Sequence, residues 1–489
     1  MGSTIFIIGA TLATITLFYL TVDKRQQNRL IDHIKIRGRR VSSAATPPRS
    51  LSPEKQSADD HPYVDSLPPS RRQVLVKIGN SPSLSEKGSL VDDDVTEDKI
   101  LQSPLPMMAN YDSCTAKYTS TGFLTEDIRA LGDFPDYATL SGVPLPTLYP
   151  EFNIDKALPR PYRPFRWNYH QTMSLTKMET DWWLELDQNY ASRIAQRKSL
   201  YAKHGKAVLD YLPGSELACK ELMEMAIQFL CARYPHYFSL SDDKRYFHNG
   251  ILGNKDDLKT KPPMEVLMDN IPEDFAIMMR DEKTGYYFLR AGVICSALGW
   301  NLGTKMGLQL HQIHAPIPDY KEKMQFSMDR YFSKMPTDKP IQRASWGLEV
   351  DQPLYMPPGD PHELHRLKQD PSLTISDCYM RVDWQTLRRL PLSSAIVFNF
   401  KALFTPVAEF RDEPGVPKLL AKILREGKKE LMEYKNTWHV EHVVLPAMDE
   451  WTEEQEERGL VERGWEVRTL DESPWFRGWE EKWHKQQGF

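Results

Sequence analysis

The chain has 489 residues, of which 62 are Lys or Arg and 67 are Asp or Glu, so its formal net charge is −5. This length accommodates one large or two smaller domains together with flanking segments. No basic stripe lies within the part of the chain whose composition predicts a folded core. We therefore exclude a nucleic-acid-binding protein and expect no nucleic-acid partner.

The five cysteines are scattered and form no Cys-x-x-Cys pair. Zinc and iron–sulfur sites need several thiolates at short spacing, so the sequence argues against both. An odd number of cysteines argues against a disulfide framework and indicates a reducing compartment. The sequence contains no G-x-G-x-x-G and no P-loop motif, so no flavin or nicotinamide site is visible. Electrons for any redox reaction would then come from another protein.

Residues 4–22 form a run of 19 residues without a charge. As a helix this run would be roughly 28 Å long, close to the thickness of a hydrocarbon core. Basic residues follow it within 23–40, so the positive-inside rule places the rest of the chain in the cytosol. We expect residues 1–23 to be a single-pass anchor that contacts lipid in the endoplasmic reticulum or another organelle membrane. A cleaved or interfacial segment is the alternative, because threonines dilute the hydrophobicity.

Residues 24–105 are first basic and then rich in Ser, Pro, Asp and Lys. A segment with so little apolar surface to bury is predicted to be a disordered linker. The folded domain is predicted to follow, over residues 106–450.

Within that domain, segments of helical periodicity alternate with paired apolar runs that are typical of antiparallel strands. This alternation predicts an α+β fold, in which a small antiparallel sheet carries helices on one side. The predicted strands are 275–280 with 286–294 and 379–386 with 395–404, and the predicted helices are 180–201, 215–234, 321–332 and 418–434.

Residues 451–489 are acidic but hold five of the twelve tryptophans. Tryptophan is expensive to leave in water, so we expect this tail to pack back on the domain. A face that binds a partner protein is the alternative.

His311 and His314 lie three residues apart at the end of an apolar segment, directly before Pro316 and Pro318. Proline stops a helix, so a histidine at this position is held in a fixed direction. A metal or haem ligand needs such a fixed direction. The alternative is a buried histidine that hydrogen-bonds the backbone.

Six motifs in chain order carry a resemblance to a known family. They read RAGVICSALGW at 290–300, IHAPIP at 313–318, DRYF at 329–332, RASW at 343–346, RVDWQTLRRLP at 381–391 and SSAIVFNF at 393–400. In this order, over residues 159–451, the chain resembles the haem-dependent oxidative N-demethylases in their fungal branch. Two departures stand out, since Asp383 occupies a position where that family suggests Glu, and Ser394 one where it suggests Gly.

The resemblance implies a PAS-like antiparallel sheet with surrounding helices and a haem b pocket on one face. It also implies oxidation of an N-methyl group with dioxygen, with electrons from a separate reductase. His314 is the expected axial ligand because it lies inside the shared motif, and His311 and then His170 are the fallbacks.

Arginine suits the two haem propionates, because it stays charged and offers a fork of donors. Four arginines fall within the shared motifs. For Arg388 and Arg389 the alternative is a solvated turn between two strands. Trp346 is expected to wall the pocket or to pack the core. Asp383 is expected to orient an amine substrate or relay protons, with a surface carboxylate as the alternative. The arginines are Arg343, Arg381, Arg388 and Arg389.

Together these observations predict a membrane-anchored, haem-dependent oxidoreductase that acts on a small amine or a specialised metabolite. The rival interpretation is a PAS-like sensor at a membrane that binds haem or a small molecule without turnover.

Overall fold

The computed structural model describes residues 125–168, 173–281 and 285–488, together with two short paired strands, β1 (Ser83–Leu84) and β2 (Leu90–Val91). The predicted anchor, nearly all of the predicted linker and His170 lie outside the described residues.

Ten further strands follow in the described part. They are β3 (Thr176–Lys177), β4 (Leu209–Tyr211), β5 (Phe238–Leu240), β6 (Tyr246–Asn249), β7 (Asn254–Asp257), β8 (Asp274–Arg280), β9 (Tyr287–Val293), β10 (Ile341–Val350), β11 (Cys378–Arg389) and β12 (Ile396–Pro406).

Eleven α-helices surround these strands in the described part. They are α1 (Thr125–Leu131), α2 (Tyr137–Ser141), α3 (Tyr190–His204), α4 (Glu216–Arg233), α5 (Pro263–Asn270), α6 (Leu310–Ile313), α7 (Phe326–Lys334), α8 (Val416–Glu426), α9 (Lys429–Lys435), α10 (Trp438–Glu457) and α11 (Trp479–Gln487). A π-helical segment, Tyr320–Gln325, leads directly into α7.

Seven strands form one antiparallel sheet in the order β3-β10-β11-β12-β8-β9-β4. The long strands β10, β11 and β12 lie side by side, and β11 pairs with β12 along nearly its whole length. Strands β5, β6 and β7 form a separate three-stranded antiparallel sheet.

The large sheet has two differently covered faces, because side chains alternate along each strand. On the first, which we call the helix face, Met380, Val382 and Trp384 of β11 pack into an apolar core with helices α8 and α10. On the second, which we call the loop face, Leu387 and Phe400 pack against the segment 302–335. At the end of β11, Arg388 therefore projects to the helix face and Arg389 to the loop face.

Helix α8 shows how the sequence produces the helix-face core. Leu419, Leu420 and Ile423 are completely buried, and their spacing of one and then three residues places them on one side of the helix. Pro417 near the helix start is tolerated there, because the first N–H groups of a helix have no acceptor within it. Helix α8 ends at Glu426 and is followed by Gly427, so the single helix predicted over 418–434 is two helices.

The predicted fold class needs correction. The structure describes an α+β domain with antiparallel sheets, and the main sheet is larger than predicted. No helix in the described part of the chain is long and apolar enough to cross a membrane. The two longest of them, α4 and α10, carry charged residues such as Glu221 and Asp449. We therefore do not retain a transmembrane helix as part of the fold; the segment predicted to form it, 4–22, is not among the described residues.

The Trp-rich tail packs on the domain. The rings of Trp475 and Trp479 stack with centroids 5.0 Å apart, and Trp483 lies edge-on to Trp182 at 5.9 Å. The indole N–H of Trp483 donates to the Leu158 carbonyl at 2.9 Å.

Candidate functional site

His314 stands at the end of the one-turn helix α6, where Pro316 and Pro318 prevent the helix from continuing. Its ring Nδ1 lies 2.7 Å from the Leu310 carbonyl oxygen. A carbonyl can only accept, so Nδ1 carries the proton and Nε2 keeps its lone pair. A second partner that fixes the tautomer in this way is typical of ligating histidines.

Ring stacking and burial further prepare this imidazole for binding a ligand. The Tyr320 ring lies parallel to it, with centroids 4.9 Å apart and planes 7° from parallel, which fixes the ring plane. Burial lowers the pKa of His314 to about 4, and the nearby charges of Arg343 and Lys305 act in the same direction. The imidazole is therefore neutral at pH 7, which is the form that binds a metal.

The sheet surface beside His314 is apolar and only partly covered. Ala276 and Phe398 project from the loop face, and Trp300, Ile313 and Ile317 pack against the same core. The rings of Phe398 and Phe400 lie 5.4 Å apart. A flat aromatic ligand is stabilised on such a surface mainly by the removal of apolar area from water.

Charged residues border this apolar surface. Asp383 lies opposite Ser345 and Arg343 opposite Gln385 in the β10–β11 pairing, so Asp383 and Arg343 are diagonal neighbours on the loop face. Arg381 holds the Asp383 carboxylate through its Nε at 3.0 Å and its terminal nitrogen at 2.9 Å. The position of Asp383 is thus fixed from one side, while its side chain stays 29 % exposed.

Arg381 also joins Asp383 to a buried network. Its guanidinium donates to the carbonyls of Pro353, at 2.7 Å, and Ser296. The backbone N–H of Ser296 donates in turn to Asp274 at 2.8 Å, and Asp274 pairs with Arg197 of α3 at 2.5 Å. Most donors of Arg381 are therefore engaged in holding the protein together.

Lys435, at the end of α9, is a site residue that the sequence reasoning missed. Its Nζ donates to the Trp346 carbonyl at 2.6 Å and lies 4.3 Å from the centroid of that ring. Burial lowers the pKa of Lys435 to about 7, the charge of Arg343 lowers it further, and Asp383 opposes both. Lys435 can therefore gain or lose a proton near neutral pH. No motif marks this residue, because only folding brings α9 to the sheet.

The other predicted residues lie elsewhere. Trp346 and Arg388 are on the helix face: Trp346 packs edge-on to Phe165 at 5.0 Å, and Arg388 stacks on Trp183 at 4.1 Å. Arg389 is on the loop face, but its guanidinium already bonds to Met335, Phe332, Ser394 and Tyr287. The His311 ring lies 6.5 Å from that of Tyr286, by the β8–β9 hairpin.

The structure thus brings His314, Arg343, Asp383 and Arg381 to one face of the sheet. Lys435 contacts Trp346 of β10, close enough to Arg343 and Asp383 for their charges to act on it. A neutral imidazole beside a half-covered apolar surface is the kind of site at which a cofactor can bind.

Comparison with known families gives the particular family. Residues 174–445, more than half of the chain, match the family described as haem-dependent oxidative N-demethylase, alpha subunit-like. The chain belongs to this family, and the family resemblance predicted from its motifs is confirmed. The match does not distinguish a fungal branch, which stays a prediction.

Proposed function

We propose that this protein binds haem b through Nε2 of His314 and uses it for the O2-dependent N-demethylation of a small amine. The observation that carries the proposal is the hydrogen bond from His314 Nδ1 to the Leu310 carbonyl, which leaves Nε2 as the free ligand atom. Family membership supports the dependence on haem. When bound, haem supplies the activation of dioxygen, and the polypeptide supplies binding, orientation and exclusion of water.

The other residues of the candidate site have roles in this proposal. Arg343 is the arginine placed to bind an anionic group on the loop face, such as a haem propionate. The carboxylate of Asp383, oriented by Arg381, would bind the nitrogen of the amine substrate. Lys435, whose pKa lies near neutrality, would hold or release a proton at its Nζ.

We further propose that the electrons come from a separate reductase. The sequence has no G-x-G-x-x-G motif and no P-loop, so it shows no site for a flavin or nicotinamide. The family description, which names an alpha subunit, is in keeping with a partner that supplies electrons.

The test is reconstitution of the full chain with hemin, followed by absorption spectroscopy and an assay for formaldehyde. We expect a Soret band in the wild type and, in His314→Ala, a shifted band or at least about a tenfold loss of hemin affinity, by analogy with other metal-site residues. The control is His362→Ala. His362 lies in the segment Pro361–Leu367, and its Nε2 is 3.2 Å from the Val350 carbonyl oxygen, so this variant removes a histidine that is not the proposed ligand.

Three outcomes separate the candidate functions. A Soret band with formaldehyde release from an N-methylamine, in the presence of a reductant, supports the enzyme. A band without oxygen consumption favours the sensor. A His314→Ala spectrum identical to that of the wild type refutes the ligand assignment.

A further inference from the structure

Arg388 is a buried cation without a counter-charge among the described residues. It is 6 % exposed, and its guanidinium carbon lies 4.1 Å from the centroid of the Trp183 ring. No residue in the described ranges forms a hydrogen bond or ion pair with it, and its Nε is buried without an acceptor. Burial lowers the pKa of Arg388 to about 10, so it is still charged at pH 7. A buried charge without a partner is costly, and such groups in folded proteins usually meet an ion or water.

A second buried donor lies beside it. The Asn399 side-chain oxygen accepts from the Trp183 indole N–H at 3.3 Å and from the Thr386 hydroxyl. These two donors identify that atom as the oxygen, so the opposite end of the amide is the NH2 group. That nitrogen, Nδ2, is buried and has no acceptor in the described part of the chain.

The strand register brings the two donors together. Asn399 lies opposite Thr386, and Arg388 opposite Val397, so Arg388 and Asn399 are diagonal neighbours on the helix face. The Trp183 indole contacts both of them, with its ring face on Arg388 and its N–H on Asn399. Thr386 also lies opposite Gln342 of the neighbouring strand β10. The side-chain oxygen of Gln342 is buried and has no donor among the described residues. A water molecule could donate to that oxygen.

This group is separate from the His314 site. Arg388 and Asn399 project to the helix face, whereas His314 and Tyr320 pack at the loop face. The backbone of the sheet lies between the two groups, so a haem held by His314 would not place a propionate on Arg388.

We propose that Arg388 and Asn399 bind a small monovalent anion, either a halide or a short carboxylate such as formate, beside the Trp183 indole. A guanidinium and an amide NH2 are donors that such an anion accepts well. The proposal does not depend on haem binding or on N-demethylation.

The first experiment measures thermal unfolding of the full chain at constant ionic strength while sodium chloride or sodium formate replaces sodium gluconate, whose anion is much larger than either. We expect a saturable rise in Tm of about 2–4 °C, because a ligand that binds only the folded state stabilises it. The salt that saturates at the lower concentration identifies the preferred anion. Equal Tm values in all three salts would overturn the proposal.

Two variants test the residues. In Arg388→Gln the anion has no cation to bind, so the difference between chloride and gluconate should disappear. In Asn399→Asp the protein supplies its own carboxylate beside Arg388, so the difference should also disappear while the protein stays folded. The matched control is Lys429→Gln, which removes a charge from a side chain that is 84 % exposed and should keep the response to chloride. Retention of the response in Asn399→Asp would contradict the proposal.

A direct measurement on the wild type covers the case in which Arg388→Gln does not fold. Crystals grown in sodium bromide should show an anomalous scattering peak between Arg388 and Asn399. Its absence at bromide concentrations that raise the Tm would show that the anion binds elsewhere, and the assignment would fail.

Discussion

Tyr320, in the π-helical segment Tyr320–Gln325, orients the imidazole of His314. It is only 3 % exposed, and its ring lies parallel to that of His314. Its hydroxyl is buried without a hydrogen-bond partner in the described part of the chain. The ring therefore contributes packing and orientation, whereas the hydroxyl contributes little or is unfavourable.

Substitutions at Tyr320 should separate these two contributions. Tyr320→Ala removes the ring and should lower the free energy of unfolding by about 3–5 kcal/mol, as other buried aromatic truncations do. Tyr320→Phe keeps the ring and removes the unpaired hydroxyl, so we expect a change below about 1 kcal/mol. Urea unfolding measures both values. Equal destabilisation by the two variants would show that the hydroxyl, and not the stacking, is what matters.

Single residues also show where prediction from sequence succeeds and fails. The proline stop after His314 was visible in the sequence, and the structure places the histidine at a helix end. The opposite directions of Arg388 and Arg389 follow from strand alternation alone, yet both were grouped as propionate ligands because they share a motif. Ser394 has a φ of 61°, a left-handed conformation that glycine adopts without strain. This explains why the family suggests Gly there.

At the scale of elements, strands with a clean apolar pattern were predictable and mixed ones were not. The paired strands β8 with β9 and β11 with β12 lie where two apolar runs flank a turn. The sequence pattern does not predict strand β10. The buried Gln342 interrupts its apolar face, and the opposite face carries Arg343, Ser345 and Gly347. Its place in the sheet is decided by pairing with β11, which no local pattern reveals.

The turn between β11 and β12 depends on a buried acid of helix α4. The Glu221 carboxylate accepts from the backbone N–H groups of Leu392, at 2.6 Å, and Ser393, at 2.8 Å. Burial raises the pKa of Glu221 to about 7, although these hydrogen bonds oppose the rise.

This raised pKa predicts a pH dependence of stability. In the folded state Glu221 keeps its proton up to about pH 7. In the unfolded state it loses the proton near its ordinary value, so stability should fall as pH rises from about 4.5 to 7. Glu221→Gln should reduce this loss of stability between pH 4.5 and 7 by on the order of 1–3 kcal/mol, measured by urea unfolding at several pH values. Glu430→Gln, which changes an acid on α9 whose side chain is 58 % exposed, is the control. An unchanged slope in Glu221→Gln would contradict the assignment.

At the scale of the whole domain, the C-terminal tail returns to a segment that lies more than 300 residues earlier in the chain. The tail that begins after α10 returns to the segment before β3, where Trp483 donates to Leu158 and Gln487 accepts from the Leu158 N–H at 3.1 Å. The guanidinium of Arg160 lies over the Trp182 ring at 4.1 Å and extends the same aromatic group. Composition alone suggested that this tail packs on the domain, but not which surface it covers.

Loss of the tail contact should destabilise the domain. Trp483→Ala removes a side chain that is 5 % exposed and should lower the free energy of unfolding by about 3–5 kcal/mol. Differential scanning calorimetry should then show a Tm lower by several degrees. Glu480→Ala, at an exposed position of the same helix, is the matched control. A normal Tm in Trp483→Ala would mean that the tail adds nothing to stability.

The chain of contacts from Arg197 through Asp274 and Ser296 to Arg381 ends at Asp383. If the proposed demethylation is assayed, random mutagenesis with a selection for lost turnover should therefore recover changes at Arg197 of helix α3 as well as on the sheet surface that carries His314. To alter the substrate preference of the proposed enzyme without destabilising the fold, Arg197 should be kept, and the half-covered apolar positions of the loop face should be varied.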